Sequence, residues 1–321
     1  MTDNRIPVTI ITGFLGAGKT TLLNNIIKKN PGKKIAIIEN EFGETSIDTE
    51  LVVSAEGGLF EMSNGCICCA LNNDLHEVLY KILQSDKKID HLIVETTGIA
   101  DPSPITMTFL SDISIQGKFR LDGTVTLVDV LHIEQQIKEA EEPARQIAVA
   151  DVILLNKYSE AEKSGIKNIE EIISRMNPFA KLISCDRSKV EGFDLLNINA
   201  FSKKNILSLD FSLAKKNIMP KPSVHTDIES HSFVFRGTIN PVVFDSWMTI
   251  LLFSSNIFRI KGILNMAAYD HKFIFQAVCS QFVGELGPEW ESETRENKIV
   301  FIGKKLDRNM LEDGLNKSLQ L

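Results

Sequence analysis

The sequence predicts an α/β protein in which a doubly wound parallel sheet is followed by a small α+β domain. Short, apolar, β-branched runs alternate with amphipathic segments as far as about residue 200, a pattern typical of parallel strands joined by helices. A glycine-rich segment lies between the first such run and the first amphipathic segment, at Gly13 to Thr20. Beyond residue 230, several strand-like segments follow one another without a helix between them.

The strands predicted for the parallel sheet are short and almost wholly apolar, as strands buried on both faces must be. They are Val8–Ile11, Ile35–Ile38, His91–Val94, Thr124–Val128, Val152–Leu155 and Lys181–Ser184. Helical spacing of apolar residues lies between them, for example from Leu71 to Leu83. Because ligands bind such sheets at the carboxyl ends of the strands, we expect the functional residues directly after these runs.

The chain divides into a nucleotide-binding domain at 1–208, a linker at 209–230 and an α+β domain at 231–321. The linker is predicted because the segment lacks periodicity and contains Pro220 and Pro222. Arg259 and Lys261 lie in a C-terminal strand, where we expect them to be exposed. The predicted C-terminal elements form a mostly antiparallel sheet and are strand His231–Ile239, helix Pro241–Ser254, strands Phe258–Met266, Phe273–Cys279 and Ile299–Ile302, and helix Asp307–Leu319.

Composition excludes several functional classes. The chain has 321 residues and a formal net charge of −7, which argues against a general nucleic-acid binder. No stretch approaches the roughly 18 apolar residues of a membrane span, and the N-terminus leads straight into a strand without a signal peptide. We therefore expect a cytoplasmic protein with no nucleic-acid or membrane partner. Its five cysteines are too few for a disulfide scaffold.

Residues 13–20 match the phosphate-loop pattern G-x-x-x-x-G-K-[ST] at every fixed position. Backbone N–H groups of such a loop converge on the phosphates, and the following helix adds its positive N-terminal dipole. Lys19 is predicted to reach the β- and γ-phosphates and Thr20 to ligate Mg²⁺. The predicted phosphate-binding residues are Gly13, Gly16, Ala17, Gly18, Lys19, Thr20 and Thr21.

Two further motifs follow predicted strands. Glu95 and Gly98 come after the third strand, where an acidic residue holds Mg²⁺ and a glycine N–H contacts the γ-phosphate. Asn156 and Lys157 come after the fifth, where GTPases carry Asn-Lys-x-Asp to read guanine. Here Ser159 replaces the aspartate, which weakens the prediction of GTP over ATP. Glu160 is the alternative source of the carboxylate, after a shift of one residue. Cys185 belongs to the loop predicted to cover the base with its backbone.

Three cysteines stand close together, at Cys66, Cys68 and Cys69. Thiolates suit Zn²⁺ or a similar late first-row ion, and tetrahedral zinc needs a fourth ligand from another side chain, water or a receiving protein. A redox dithiol and a set of buried small hydrophobic residues are the alternatives. In an extended strand Cys66 and Cys68 point to one side and Cys69 to the other, so one ion requires a backbone turn.

An acidic segment follows the second predicted strand and contains Glu39, Glu41 and Glu44. Carboxylates beside a glycine at this place suit a switch loop that responds to Mg²⁺ and the γ-phosphate, with a solvated acidic loop as the alternative. Glu39 or Glu44 is also a candidate to complete the thiolate site. Glu41 is a candidate for positioning the attacking water, and the sequence leaves other groups open for that role.

Taken in this order, the motifs resemble the CobW family of phosphate-loop GTPases, the group that also holds HypB, UreG and MeaB, with YjiA-type members the most alike. The resemblance covers nearly the whole chain and implies a P-loop NTPase fold followed by a CobW-type C-terminal domain. The residues that carry it are Gly13 to Thr21, Glu39 to Glu44, Asn64 to Cys69, Glu95 to Gly98, and Asp101-Pro102.

The family resemblance implies a GTP-dependent metallochaperone that binds Zn²⁺, Co²⁺ or a similar ion at the cysteines and hydrolyses GTP slowly. It implies GTP and Mg²⁺ as cofactors, a client metalloprotein as partner, and a metal-dependent homodimer as a further partner hypothesis. The alternative is a phosphate-loop NTPase that acts as a redox- or nucleotide-regulated binding module without metal delivery. The phosphate loop fits both functions equally well, so the cysteines decide between them.

Overall fold

The computed structural model describes residues 3–39, 52–56, 59–62, 67–70, 75–84, 88–211, 226–254, 256–291 and 294–320. Within these residues the strands form one nine-stranded sheet and one five-stranded sheet. No helix in the described part of the chain is long and apolar enough to cross a membrane.

The large sheet has the order β3-β4-β5-β2-β6-β1-β7-β8-β9. From β5 to β9 along this order every neighbouring pair is parallel, whereas β4 pairs antiparallel with both β3 and β5. The strands are β1 (Ile6–Gly13), β2 (Ile35–Glu39), β3 (Val52–Glu56), β4 (Leu59–Met62), β5 (Ile67–Ala70), β6 (His91–Glu95), β7 (Phe119–Asp129), β8 (Val152–Asn156) and β9 (Lys181–Ser184).

Helices cover both faces of this sheet, which makes it doubly wound as predicted. They are α1 (Lys19–Lys29), α2 (Leu75–Gln84), α3 (Ser103–Ser111), α4 (Ile113–Gln116), α5 (Ile133–Glu139), α6 (Glu142–Val149), α7 (Lys163–Met176) and α8 (Lys203–Leu207). Successive residues of β1 point to opposite faces of the sheet: Ile11 packs with α1, whereas Ile10 packs with α2 and α3. Burial of each apolar face holds its helix on the sheet.

All six predicted strands of this sheet are present, and most extend beyond their predicted ends. Glu95 and Asn156 are therefore the last residues of β6 and β8 rather than the residues after them. The described part of α2 begins at Leu75, and residues 71–74 of the predicted helical pattern lie outside the described residues. The sequence pattern did not indicate β3, β4 and β5, which are only four or five residues long and lie together at one end of the sheet.

The C-terminal sheet is antiparallel throughout its described strands, with the order β10-β14-β11-β12-β13. Gln281–Glu289 was not predicted as a strand, because Gly284, Gly287 and Pro288 disfavour one; it lies at the sheet edge, where such residues are tolerated. The elements are β10 (Ile228–Arg236), α9 (Pro241–Ser254), β11 (Ile257–Leu264), β12 (His271–Val278), β13 (Gln281–Glu289), β14 (Glu296–Lys304) and α10 (Arg308–Lys317).

The predicted linker falls largely on residues 212–225, which lie outside the described residues. On its C-terminal side, β10 begins at Ile228, earlier than the predicted His231. The domain boundaries stay a prediction.

Arg259 and Lys261 are buried rather than exposed, with 2% and 4% of their surface accessible. Both side chains lie against Asp151, just before β8: Arg259 donates to its carboxylate, and Lys261 Nζ lies 3.3 Å from Asp151 Oδ1. Asp151 Oδ2 also accepts the Thr124 N–H at 3.1 Å. The strand pattern could not show that the nucleotide-binding domain covers this face of β11. The contact joins the two sheets through a buried ion cluster.

Replacing Asp151 with Asn is expected to destabilise the protein by about 3–5 kcal/mol, because it leaves two buried cations without a counter-charge. Urea unfolding at pH 7 measures this loss. The exposed carboxylate of Asp245 supplies the matched control, since Asp245→Asn should change stability by less than about 0.5 kcal/mol.

The loss from Asp151→Asn should be smaller at pH 9 than at pH 7. Burial and the Arg259 charge lower the pKa of Lys261 to about 8, below its value in the unfolded chain. The unfolded chain then binds more protons, so raising the pH through this window favours folding. Without Asp151 the pKa of Lys261 in the folded chain falls further. Between pH 7 and pH 9 the stability of the variant therefore rises more than that of the wild type. Equal losses at both pH values would contradict this account.

Candidate functional site

The segment between β1 and α1 has the geometry of a phosphate loop. Gly13 and Gly18 have φ of 145° and 102°, a region in which residues with a side chain are strained. A Cβ at Gly13 would also lie 2.5 Å from the Leu127 carbonyl oxygen, and one at Gly18 would lie 2.6 Å from Ser188 Oγ. Lys19 opens α1 and donates from Nζ to Gly13 O at 2.8 Å. The remaining predicted phosphate-binding residues, Gly16, Ala17, Thr20 and Thr21, lie on this loop and in the first turn of α1.

The buried side chain of Asn156 ties this loop to its neighbours. Its Nδ2 donates to Ala17 O at 2.8 Å and to Ser188 Oγ at 3.1 Å. Its Oδ1 accepts the Ser188 N–H at 2.9 Å, and Ser188 Oγ donates to Gly18 O at 2.9 Å. The contact of Asn156 with a base stays a prediction; in the structure its amide joins the phosphate loop to the segment after β9. Ser188 was not predicted, because only the fold brings it to Gly18.

Two carboxylates lie side by side where β2 and β6 end, since Glu39 and Glu95 are register partners. Glu39 is 2% exposed. Burial and the neighbouring Glu39 charge raise the pKa of Glu95 to about 7, against the opposing effect of Lys19. A divalent cation here favours the ionised carboxylates. The Glu95 carboxylate, which feels the charge of Lys19, and the Thr20 hydroxyl are oxygen donors of the kind that Mg²⁺ prefers alongside phosphate, so these residues fit that ion.

Gly98 packs directly against the phosphate loop. A Cβ on Gly98 would lie 2.8 Å from the Leu15 backbone nitrogen, so only glycine permits this approach. Upstream, Thr96 N donates to Ile11 O at 3.0 Å and holds the start of the segment on β1. Gln146 of α6 donates from Nε2 to Gly98 O and Ala100 O, both at 3.1 Å. Gln146 was not predicted, since nothing in the sequence relates it to Gly98.

Lys157 adopts the left-handed conformation, with φ of 60°. Its Nζ donates to Asp129 Oδ2 at 2.6 Å, and His132 Nδ1 lies 2.9 Å from the same oxygen. Burial raises the pKa of Asp129, but hydrogen bonds from Lys157 and His132 outweigh that effect and leave the pKa below its usual value. The ionised Asp129 therefore fixes the ammonium group of Lys157, and the packing of the lysine along a base stays a prediction.

Ser159, in place of the expected aspartate, is exposed in a 3-10 turn, Tyr158–Glu160. Its backbone N–H donates to Asp186 Oδ1 at 2.9 Å. Cys185 is buried beside this turn, where its N–H donates to Leu155 O at 2.9 Å and its carbonyl accepts from Tyr158 N at 3.3 Å. The structure thus brings Cys185 next to Asn156 and Lys157, and its contact with a base stays a prediction.

The cysteine motif is placed by its backbone register. Cys68 and Cys69 belong to β5, which runs parallel to β2 and pairs them with Ile37 and Ile38. Cys66, Glu41 and Glu44 lie outside the described residues. Among the residues whose side chains are described, no group of three or more His, Cys, Asp or Glu side chains is arranged to hold a metal.

Comparison with known proteins shows what the chain resembles. The CobW/HypB/UreG nucleotide-binding domain model matches residues 7–184, and the cobalamin synthesis protein CobW C-terminal domain model matches residues 228–319. The chain belongs to the CobW/HypB/UreG family. It is 33% identical over 312 residues to the zinc chaperone YjiA of Escherichia coli K12, covering 94% of this chain and 95% of that protein.

One further relative and a solved structure of YjiA agree with this membership. The chain is 29% identical to zinc-regulated GTPase metalloprotein activator 1 of Schizosaccharomyces pombe, covering 94% of this chain and 83% of that protein. The crystal structure of Zn(II)-bound YjiA GTPase from E. coli matches with a TM-score of 0.79 and 31% identity, over 99% of this chain and all of that one. These matches confirm the predicted fold of both domains.

Replacing Asn156 with Ala should weaken nucleotide binding about tenfold or more, because the phosphate loop loses its link to β8 and a small misplacement of such groups is costly. It should also cost about 1–3 kcal/mol of stability, since buried partners are left unpaired. Fluorescent-nucleotide titration and urea unfolding measure both effects. Asn168→Ala is the control, because Asn168 donates to Glu134 on the surface of α7. Equal nucleotide affinity in the two variants would refute the role of Asn156.

Proposed function

We propose that the chain is a slowly acting GTPase that binds zinc or a similar transition metal at its cysteines and couples GTP hydrolysis to metal delivery. The observation that carries this proposal is the position of β2. On one side β2 pairs with β6, where Glu39 and Glu95 lie together. On the other side β2 pairs with β5, which carries Cys68 and Cys69. One strand thus connects the nucleotide edge of the sheet with the thiols.

The nucleotide half of the proposal uses the site residues as follows. Lys19 binds the β- and γ-phosphates, Gly98 donates its N–H to the γ-phosphate, and Thr20 with Glu95 holds Mg²⁺. When bound, Mg²⁺ neutralises charge that develops on the phosphate oxygens. Glu41 is proposed to position the attacking water. Two relatives, a zinc-regulated GTPase and the YjiA GTPase, support GTP as the nucleotide.

The metal half of the proposal rests on donor chemistry. Cys66, Cys68 and Cys69 supply thiolates, and Glu39 or Glu44 supplies a carboxylate, a mixed set that suits Zn²⁺ or Co²⁺. A solved relative supports zinc as the metal: the Zn(II)-bound YjiA GTPase matches with a TM-score of 0.79 and 31% identity. A Zn(II)-bound triple mutant of the same protein, in which one glutamate and two cysteines are replaced by alanine, matches with a TM-score of 0.82, so the assignment to the cysteines here rests on their donor chemistry alone.

Coupling is proposed to run through the segments at 39–44 and after Gly98. With GTP and Mg²⁺ bound, both segments are ordered by the γ-phosphate and hold the metal site; hydrolysis releases them and lowers metal affinity. The receiver is a client metalloprotein. The proposed domains are a GTPase domain at 1–208, a linker at 209–230 and a C-terminal domain at 231–321. The C-terminal domain is proposed to supply the surface that binds a client or forms a metal-dependent homodimer.

Anaerobic chelator competition tests the proposal by measuring Zn²⁺ affinity with a GTP analogue, with GDP and without nucleotide. We expect Zn²⁺ binding to be about 5- to 150-fold tighter with the GTP analogue than with GDP, the usual range for coupled sites. The variant with alanine at Cys66, Cys68 and Cys69 should lose this binding.

Cys279→Ala is the matched control, because Cys279 lies in the C-terminal domain at the turn after β12. It should leave Zn²⁺ affinity unchanged in every nucleotide state. Zn²⁺ affinity that does not depend on the nucleotide would contradict metal delivery. It would favour the alternative, a nucleotide- or redox-regulated binding module.

A further inference from the structure

We infer that Asp186 supplies the carboxylate that reads the nucleotide base in this chain, in place of the aspartate that Ser159 replaces. The inference rests on the proposed function, because it assigns the residue that makes the nucleotide site select guanine. A carboxylate at this place is needed from elsewhere in the fold, since a serine has a single oxygen and cannot face two neighbouring donors with two acceptor oxygens as a carboxylate does.

The position of Asp186 is the first argument. Its Oδ1 accepts the backbone N–H of Ser159 at 2.9 Å, so the carboxylate lies beside the residue that stands where the base-reading aspartate is expected. Asp186 follows β9, which is parallel to β8, and the loops after these two strands therefore adjoin. Asp186 is exposed at this edge, and within the described residues no hydrogen bond or ion pair engages its Oδ2. One oxygen is anchored, and the other is open to a ligand.

The rigidity of the loop is the second argument. Cys185 N donates to Leu155 O at 2.9 Å on one side of Asp186, and Lys189 N donates to Asp186 O at 3.0 Å on the other. Ser188 N donates to Asn156 Oδ1, and the same Asn156 amide donates to Ala17 O. The Asp186 carboxylate is thereby held at a fixed position relative to the phosphate loop.

The chemistry of the bases gives the selectivity. Guanine presents two neighbouring donors on its Watson–Crick edge, N1–H and the N2 amino group, and an ionised carboxylate accepts from both. Adenine presents a ring-nitrogen acceptor beside its amino group, so a carboxylate meets one donor and one repelling lone pair. Xanthine carries a carbonyl at C2, which a carboxylate repels and an amide nitrogen can bind.

Glu160 is the competing carboxylate. It follows Ser159 in the same turn, where its backbone N–H donates to Lys157 O at 3.1 Å. In the described part of the chain no contact holds its carboxylate next to Ser159. Glu160 and Asp186 therefore make a matched pair for substitution, since both are exposed acids at this edge and only Asp186 is fixed.

The test compares dissociation constants of GDP, ADP and xanthosine diphosphate for the wild-type chain, Asp186→Asn and Glu160→Gln, by competition against a fluorescent guanine nucleotide. Asp186→Asn should weaken GDP binding about 10- to 100-fold, as expected for loss of hydrogen bonds to a charged group. It should strengthen xanthosine diphosphate binding and leave ADP binding unchanged. The gain for xanthine distinguishes base reading from a merely structural role. Glu160→Gln should behave as the wild type.

Adding Ser159→Asp to Asp186→Asn should restore GDP binding, because it returns a carboxylate to the same place. An unchanged GDP-to-ADP ratio in Asp186→Asn would overturn the assignment while leaving the GTPase proposal intact. A wild-type chain that binds ADP as tightly as GDP would overturn the guanine preference itself. Loss of GDP preference in Glu160→Gln alone would transfer the role to Glu160.

Discussion

The side-chain amide of Asn156 is the contact on which the nucleotide site depends. It lies at the end of β8 and binds Ala17 of the phosphate loop on one side and Ser188 of the loop after β9 on the other. Backbone carbonyls and N–H groups of irregular segments are costly to bury unpaired. A single amide that pairs several of them fixes the phosphate loop and the neighbouring loop relative to the sheet.

A second constraint links the site to the rest of the molecule through α6. Gln146 donates to Gly98 O and Ala100 O, and Gly98 approaches the phosphate loop. One turn later, the last residue of α6 meets the C-terminal sheet, where Arg259 donates to Val149 O at 2.5 Å. Asp151, just beyond the helix, lies in the same buried ion cluster. The segment expected to respond to the γ-phosphate is thus connected by one short helix to the C-terminal domain.

Local signals allowed the phosphate loop and six of the seven parallel strands to be predicted, because glycine spacing and apolar runs depend on neighbouring residues; β6 and β8 each end one residue later than predicted. Other features depend on distant parts of the chain and left no such signal. Gln146 is 48 residues from Gly98, and Asp186 reaches Ser159 only because β8 and β9 pair. Arg259 and Lys261 resembled exposed strand residues because alternation along a strand does not reveal a second domain packed on it.

The central claim, that nucleotide and metal share a coupled site, has a reciprocal form that is measured directly. Linkage requires a metal bound more tightly with GTP to strengthen GTP binding by the same factor. The decisive measurement is the affinity for a GTP analogue and for GDP, each with and without Zn²⁺, in the wild-type chain and in the triple alanine variant at Cys66, Cys68 and Cys69. The account predicts that Zn²⁺ tightens binding of the analogue relative to GDP and that the variant loses this effect. Equal affinities with and without Zn²⁺ in the wild-type chain would contradict it.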